Sequence, residues 1–216
     1  MRTAIIIGAT GLVGSYITQK LLNDKRYDKV KVFVRRSIGY EHPALEEHLV
    51  DFEMINTWKN ELVGDELYSA LGTTIKKAGS KITQYKIDYN YQFEIAEAAA
   101  ANGVKRYLLV SSLGANHKSS NFYLSIKGKL DEEVQKLNFE NIFIFRPSVL
   151  VGERREKRIT ESISIKIAGA TTKVIPALYK YKSVEAEKVA EFMIKTANQN
   201  YEEKIKIFES EEILNG

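Results

Sequence analysis

The sequence predicts an α/β chain, a doubly wound parallel sheet with helices on both faces and a small C-terminal, substrate-side elaboration. Three observations carry that expectation. Short apolar runs rich in Val, Ile, Leu and Phe recur without apolar–polar alternation, as strands buried on both faces do. They alternate with longer stretches of helical period. No hairpin turn signal joins one run to the next, so the strands are linked by crossovers and lie parallel.

The first run, Ala4–Ile7, ends abruptly at Gly8, and from Leu12 the apolar period becomes helical. The glycines fall at 8, 11 and 14, a GxxGxxG spacing between a strand and a helix. Gly8 permits the sharp exit from the strand, Gly11 lets a pyrophosphate approach bare backbone, and Gly14 lets the helix pack closely on the strand. The helix N-terminus adds unpaired N–H groups and a partial positive charge for an anion. An ordinary glycine-rich strand–turn–helix would look the same over this stretch alone.

The second strand is Val30–Val34, ending in Arg35 and Arg36. The third is His48–Phe52, followed by a short helix around Trp58. Leu67–Leu71 is the fourth, ending at Gly72-Thr73-Thr74. A helix from about Asp88 to Ala101 is stopped by Asn102-Gly103. Arg106–Val110 is the fifth strand, closing on Ser111-Ser112. A helix over roughly 120–137 leads to the sixth, Asn141–Phe145, which ends at Arg146-Pro147. Residues 153–181 read as a helix with irregular structure, the small substrate-side region. Another helix, Ser183–Ala197, and a last strand, Lys204–Phe208, complete one domain over residues 1–216.

Composition narrows the chemistry. The 216 residues include no cysteine, which excludes disulfides, thiolate catalysis and Cys-based zinc sites. Three scattered histidines, His42, His48 and His117, argue against a His-only metal site, and no metal is expected. The net charge of +4 is mild. The densest charge cluster, ERREKR from Glu153, lacks interleaved aromatics and reads as a solvated segment, not a nucleic-acid patch. With no signal peptide and no membrane-spanning run, the expectation is a cytoplasmic protein with no membrane partner.

Ligands of such sheets bind at the carboxyl ends of the strands, which turns the strand ends into a site inventory. Arg35 and Arg36 stand where the adenosine ribose would face, and a guanidinium there pairs with a 2′-phosphate where a carboxylate would take a 2′-hydroxyl. This favours NADP(H), with NAD(H) as the other cofactor the fold admits. Arg35, nearer the strand end, is the better placed; either arginine can equally be a solvated loop charge. Asp51 either accepts from the adenine amino group or caps a turn. Gly72 and Thr73 follow the fourth strand beside the same cleft. Ser111, Ser112, Tyr123 and Lys127 form a second constellation. Tyr123 and Lys127 are four apart and share a helix face, so an ammonium lies beside a phenol whose ordinary pKa is about 10 and favours its phenolate. The serine hydroxyl holds the substrate oxygen, and Lys127 reaches the nicotinamide ribose. A surface Tyr–Lys pair covering apolar neighbours is the plainer alternative.

The segments IIIGATGLVGSYITQKLL, VRR, ALGTTIKKAGS, EIAEAAAANGVKRYLLVSSLGA, KSSNFYLSIKGKLDEEVQKL and FRPSVLVGERRE together resemble an atypical member of the short-chain dehydrogenase/reductase superfamily. Within it, the chain is similar to the small oxidoreductases like Tat-interacting protein. The likeness spans almost all of residues 1–156, and SVEAEKVAEFMI resembles the family's later helix. It implies NADP(H) binding by Gly8, Thr10, Gly11, Leu12, Val13 and Arg35, with Leu71 and Gly72 beside the adenosine or pyrophosphate. It assigns Tyr123 as acid/base, Lys127 as its partner, and Ser111 or Ser112 as the polarising hydroxyl. Pro147, Ser148 and Val149 would flank the nicotinamide. Where many members carry a relay asparagine, this chain holds Asp88, with Asn90 out of register.

The expected function is an NADP(H)-dependent oxidoreductase moving hydride to or from a small carbonyl or alcohol. The alternative is a non-catalytic NADP(H)-binding regulator or redox sensor acting through a protein partner. Sugar-nucleotide epimerisation uses a similar pair but needs a larger C-terminal region. The helix bearing Tyr123 and Lys127 is a candidate homodimer face.

Overall fold

The computed structural model describes residues 2–152 and 182–216. Seven strands form one all-parallel sheet: β1 (Arg2–Ile7), β2 (Tyr27–Val34), β3 (Leu45–Leu49), β4 (Glu66–Ser69), β5 (Arg106–Val110), β6 (Asn141–Arg146) and, last in the chain, β9 (Ile205–Glu209). Their spatial order is β3-β2-β1-β4-β5-β6-β9. The order reverses between β1 and β4, which is where such sheets open a ligand crevice at their carboxyl edge. The short strands β7 (Leu150–Val151) and β8 (Val184–Glu185) pair separately and in parallel.

Helices cover both faces because alternate strand residues are apolar on both. Ala4 and Ile6 pack with Val13, Ile17 and Leu21 of α1 (Leu12–Leu22) and with Val189, Ala190 and Met193 of α6 (Ala186–Ala197). Ile5 and Ile7 face the other way, towards Ile95 and Ala99 of α4 (Tyr91–Ala101) and Leu130 and Val134 of α5 (Phe122–Val134). Each fully buried isoleucine contributes about 1.5–3 kcal/mol. Between β4 and α4 stand two short helices, α2 (Ile75–Ala78) and α3 (Lys81–Tyr85). A π turn at Lys86–Asn90 joins α3 to α4 without a break. A final helix, α7 (Ser210–Asn215), starts from a capping box between Glu209 and Glu212.

Several expected boundaries move. The third strand is Leu45–Leu49 and not His48–Phe52, so Asp51 lies past its end. The fourth strand stops at Ser69, which places Leu71, Gly72 and Thr73 in the loop beyond it. The helix expected from Asp88 begins one π turn and one short helix earlier. The region expected as a substrate-side elaboration, 153–181, lies outside the described residues.

Candidate functional site

The β1–α1 turn is fixed by close backbone packing. Ala70 N donates to Ile7 O at 3.0 Å and holds the ends of β1 and β4 side by side. Gly8 has φ +84°, and a Cβ there would stand 2.5 Å from the Ala70 carbonyl carbon. A Cβ on Gly14 would stand 2.1 Å from the Gly8 carbonyl oxygen. Gly11 N donates to that same oxygen at 2.8 Å. Gly11 then caps α1 from an extended backbone with no side-chain cap, so the first amides of the helix, from Leu12 to Gly14, open towards the crevice. Thr10 is exposed on the rim.

Arg35 and Arg36 follow β2 and are exposed. Arg35 reaches the neighbourhood of Tyr91, where its charge opposes the burial and the Glu53 hydrogen bond that push the phenol up. Asp51 caps the next turn: its Oδ1 accepts from Glu53 N at 2.9 Å, and its carbonyl accepts from Trp58 Nε1 at 2.9 Å. A cleft of about 330 Å³ beside it is lined by His48, Asp51, Trp58 and Glu61.

On α5, capped by the Asn121 side chain at Leu124 N (3.2 Å), Tyr123 and Lys127 share one face. Tyr123 is half-buried. Lys127 is only 3% exposed, and its Nζ donates to the Val110 carbonyl at 3.0 Å, which ties the helix to the end of β5. The two serines separate. Ser111 is buried, and its Oγ has no hydrogen-bond partner among the described residues. Ser112 is half-buried and its hydroxyl makes only a long 3.4 Å bond to the Leu113 carbonyl. Leu113 N donates to Pro147 O at 2.9 Å, and Ser148 N to Ser210 Oγ at 3.2 Å, so the ends of β5 and β6 form one rim, from which Val149 projects exposed.

Beneath this rim lies a row of buried charge. Asp88, on the π turn, is fully buried; its Oδ1 accepts from Thr73 N at 3.0 Å, while Oδ2 has no partner among the described residues. Burial lifts its carboxyl above the usual range and the Lys127 charge pulls it back. Asp131 accepts from Arg146 Nε at 3.0 Å, and Arg146 Nη1 reaches Glu209 at 3.1 Å. Burial also lifts Asp131, against the pull of Ser111, Arg146 and Lys127; the Ser111 hydroxyl faces it without reaching hydrogen-bond geometry. Sequence reasoning missed Asp131 and Arg146 as neighbours of the site. The signal was present, since Tyr123, Lys127 and Asp131 are spaced four apart on one helix face.

Comparison with known proteins fits this geometry. The family described as NAD(P)H-binding matches residues 8–200. Protein FMP52, mitochondrial, of Candida glabrata is 37% identical over 158 residues, covering 72% of this chain and 66% of that protein. Protein HTATIP2 of Rattus norvegicus is 33% identical over 173 residues, 78% of this chain and 71% of that one. Among solved structures, the Bordetella bronchiseptica enzyme WbmH in complex with NAD+ superimposes with a TM-score of 0.71 at 16% identity, covering 97% of this chain and 76% of that one. The expectation of a cytoplasmic protein is overturned: relatives from Candida glabrata, Emericella nidulans and Aspergillus fumigatus, at 36–37% identity, are named mitochondrial. The sheet order, the glycine turn at the β1–β4 switch point and the profile match over most of the sequence lead to one assignment: the chain belongs to the NAD(P)H-binding family, with the Rossmann-type fold of the short-chain dehydrogenases/reductases.

Proposed function

We propose that the protein is an NADP(H)-dependent oxidoreductase that reduces or oxidises a small carbonyl or alcohol. The observation that supports the reading is the placement of half-buried Ser112 just past β5, of Lys127, buried and anchored to the Val110 carbonyl, and of Tyr123 one turn earlier on the same face of α5. A dinucleotide suits the cradle beside them. The uncapped first turn of α1 offers amides to a pyrophosphate, and Gly8 and Gly14 keep the turn tight against β4. Arg35, exposed at the end of β2, is the residue for a 2′-phosphate, and Arg36 stands next to it.

When bound, the nicotinamide supplies or accepts the hydride. In reduction, Ser112 donates a hydrogen bond to the carbonyl oxygen, and Tyr123 transfers its proton to that oxygen as the carbon gains hydride. Lys127 stabilises the phenolate left on Tyr123. In oxidation the same groups act in reverse, with Tyr123 taking the alcohol proton.

The test is a fluorescence titration of nucleotide-free protein with NADPH and with NADH, followed by a carbonyl panel. Tight, NADPH-preferring binding and turnover abolished by Tyr123→Phe support the reading. Full turnover in Tyr123→Phe overturns the acid/base role. Binding of NADPH with no turnover on the panel favours a nucleotide-sensing regulator instead.

A further inference from the structure

Arg146 is the last residue of β6, and its guanidinium is shared between carboxylates on two other elements. Nε donates to Asp131 Oδ2 on α5 at 3.0 Å, and Nη1 donates to Glu209 Oε1 at the end of β9 at 3.1 Å. Each partner leads to one half of the site. Asp131 lies one turn past Lys127 and two past Tyr123, on the same face of α5. Glu209 opens the capping box of α7, and the hydroxyl of the next residue, the fully buried Ser210, accepts from Ser148 N at 3.2 Å. Ser148 belongs to the Pro147–Val149 rim, whose Pro147 carbonyl also accepts from Leu113 N at 2.9 Å. One planar cation thus joins the helix that carries Tyr123 to the rim that borders the nicotinamide.

Two anchors set the direction of α5. Lys127 Nζ donates to the Val110 carbonyl of β5 at 3.0 Å, and one turn further on Asp131 meets Arg146 of β6. Tyr123 stands about 6 Å along the axis beyond the first anchor, at about 1.5 Å of rise per residue. With the second anchor gone, a pivot of about 10° at Lys127 carries the Tyr123 backbone about 1 Å, a displacement that can cost about a hundredfold in rate. A buried ion pair of this kind adds little to stability when weighed against apolar side chains of the same volume. The side chain of Asp131 is 1% exposed, so what the pair contributes is the fixed geometry of a guanidinium fork.

We propose that Arg146 is a positioning residue that holds Tyr123 in register with the nicotinamide-side rim, through Asp131 on one side and Glu209 on the other. The proposal rests on the assignment of Tyr123 and of the rim given above. A lysine at this position carries the charge but lacks the planar fork that aims Nε and Nη1 at two carboxylates in fixed directions. Charge alone therefore does not replace Arg146.

The experiment reads distance and turnover on the same variants of the full chain. The sequence has no cysteine, so spin labels can be placed at Ser120→Cys, beside the Tyr123 end of α5, and at Val149→Cys on the rim, both exposed. Pulsed electron double resonance then gives the distance distribution between helix and rim. In Arg146→Met and Arg146→Lys that distribution is expected to widen by about 1 Å. In the unlabelled variants, kcat for NADPH-dependent reduction of phenanthrenequinone is expected to fall about ten- to a hundredfold with the KM for NADPH unchanged. In a Tyr123→Phe background, Arg146→Met should lower turnover no further. Asp131→Asn, which keeps an acceptor for Nε, is the second variant should Arg146→Met fail to fold, with the same directions expected. An unchanged distance distribution in the folded variants, or full kcat in Arg146→Lys, overturns the proposal. A merely structural Arg146 would lower the melting temperature and leave kcat per folded molecule in place. Full turnover in Tyr123→Phe defeats the assignment of Tyr123, whereas the label distances alone decide whether Arg146 fixes the helix to the rim.

Discussion

Gly128 faces the peptide between Asn116 and His117 so closely that a Cβ on it would stand 2.3 Å from both the Asn116 carbonyl carbon and the His117 nitrogen. The residue after Lys127 thus presses the loop carrying Ser112 against α5, and Asn116 N donates to Leu124 O at 3.1 Å along the same seam. Gly128→Ala must move backbone, not a side-chain tip. A loss of about 1–3 kcal/mol in urea unfolding is expected, together with lower turnover as the serine and the tyrosine separate. A variant as stable and active as the parent would show that this contact does not hold the two together.

The two serines should respond differently. Ser112→Ala removes the accessible hydroxyl, and turnover should fall by about 10²–10³-fold with cofactor binding intact. Ser111→Ala takes away a buried hydroxyl that faces Asp131 and favours its charged form, so stability should fall by about 1 kcal/mol while turnover holds. Steady-state kinetics and thermal melts on the pair check both statements.

Arg35 should govern cofactor choice. Its replacement by serine removes a charge-assisted contact worth about 1.5–3 kcal/mol. The Kd for NADPH should then rise about ten- to a hundredfold with that for NADH little changed. Parallel titrations read this directly, and an equal loss for both nucleotides would move the 2′-phosphate contact elsewhere.

Stability against pH should carry the mark of the buried carboxyls. Asp88 has its folded-state value raised by burial, with Lys127 opposing. A raised value means that the folded chain holds the proton more tightly than the unfolded one. The contribution of Asp88 to stability is therefore fully present below the unfolded value of about 4 and is lost as pH rises through the folded value. Asp88→Asn is free of that loss, so its stability relative to the parent should improve as pH is raised from about 4 to 7. Denaturant melts at the two ends of that range measure the difference.

The sequence made the sheet and the glycine turn legible because both depend on local signals, an unbroken apolar run and a change of period. It misplaced the third strand because LEEHL is an edge strand whose residues are fixed by pairing Leu45 with Val30 and Leu49 with Val34, and not by apolarity. The apolar Leu49–Val50 pair drew the expected strand towards Asp51, which instead caps the following turn. The π turn at Lys86–Asn90 has no sequence signature, so although the resemblance singled out Asp88, the full burial of its side chain there was not foreseen. The separation of Ser111 from Ser112 was within reach. Tyr107 and Leu109 point to the α4–α5 face, and the period of two carries Ser111 to the same side.

The turn that begins at Gly8 is completed by Ala70, a residue from the far side of the β2 and β3 excursion. Early in folding, α1 can form beside β1, but its N-terminal amides have no crevice to face until β4 docks on β1. The nucleotide-binding surface is therefore a product of long-range strand pairing, and such pairings form slowly. A bound nucleotide would weight only the fully assembled sheet, so at a hundred times its Kd it adds about 2.7 kcal/mol to the stability of the native chain and none to a partly paired one.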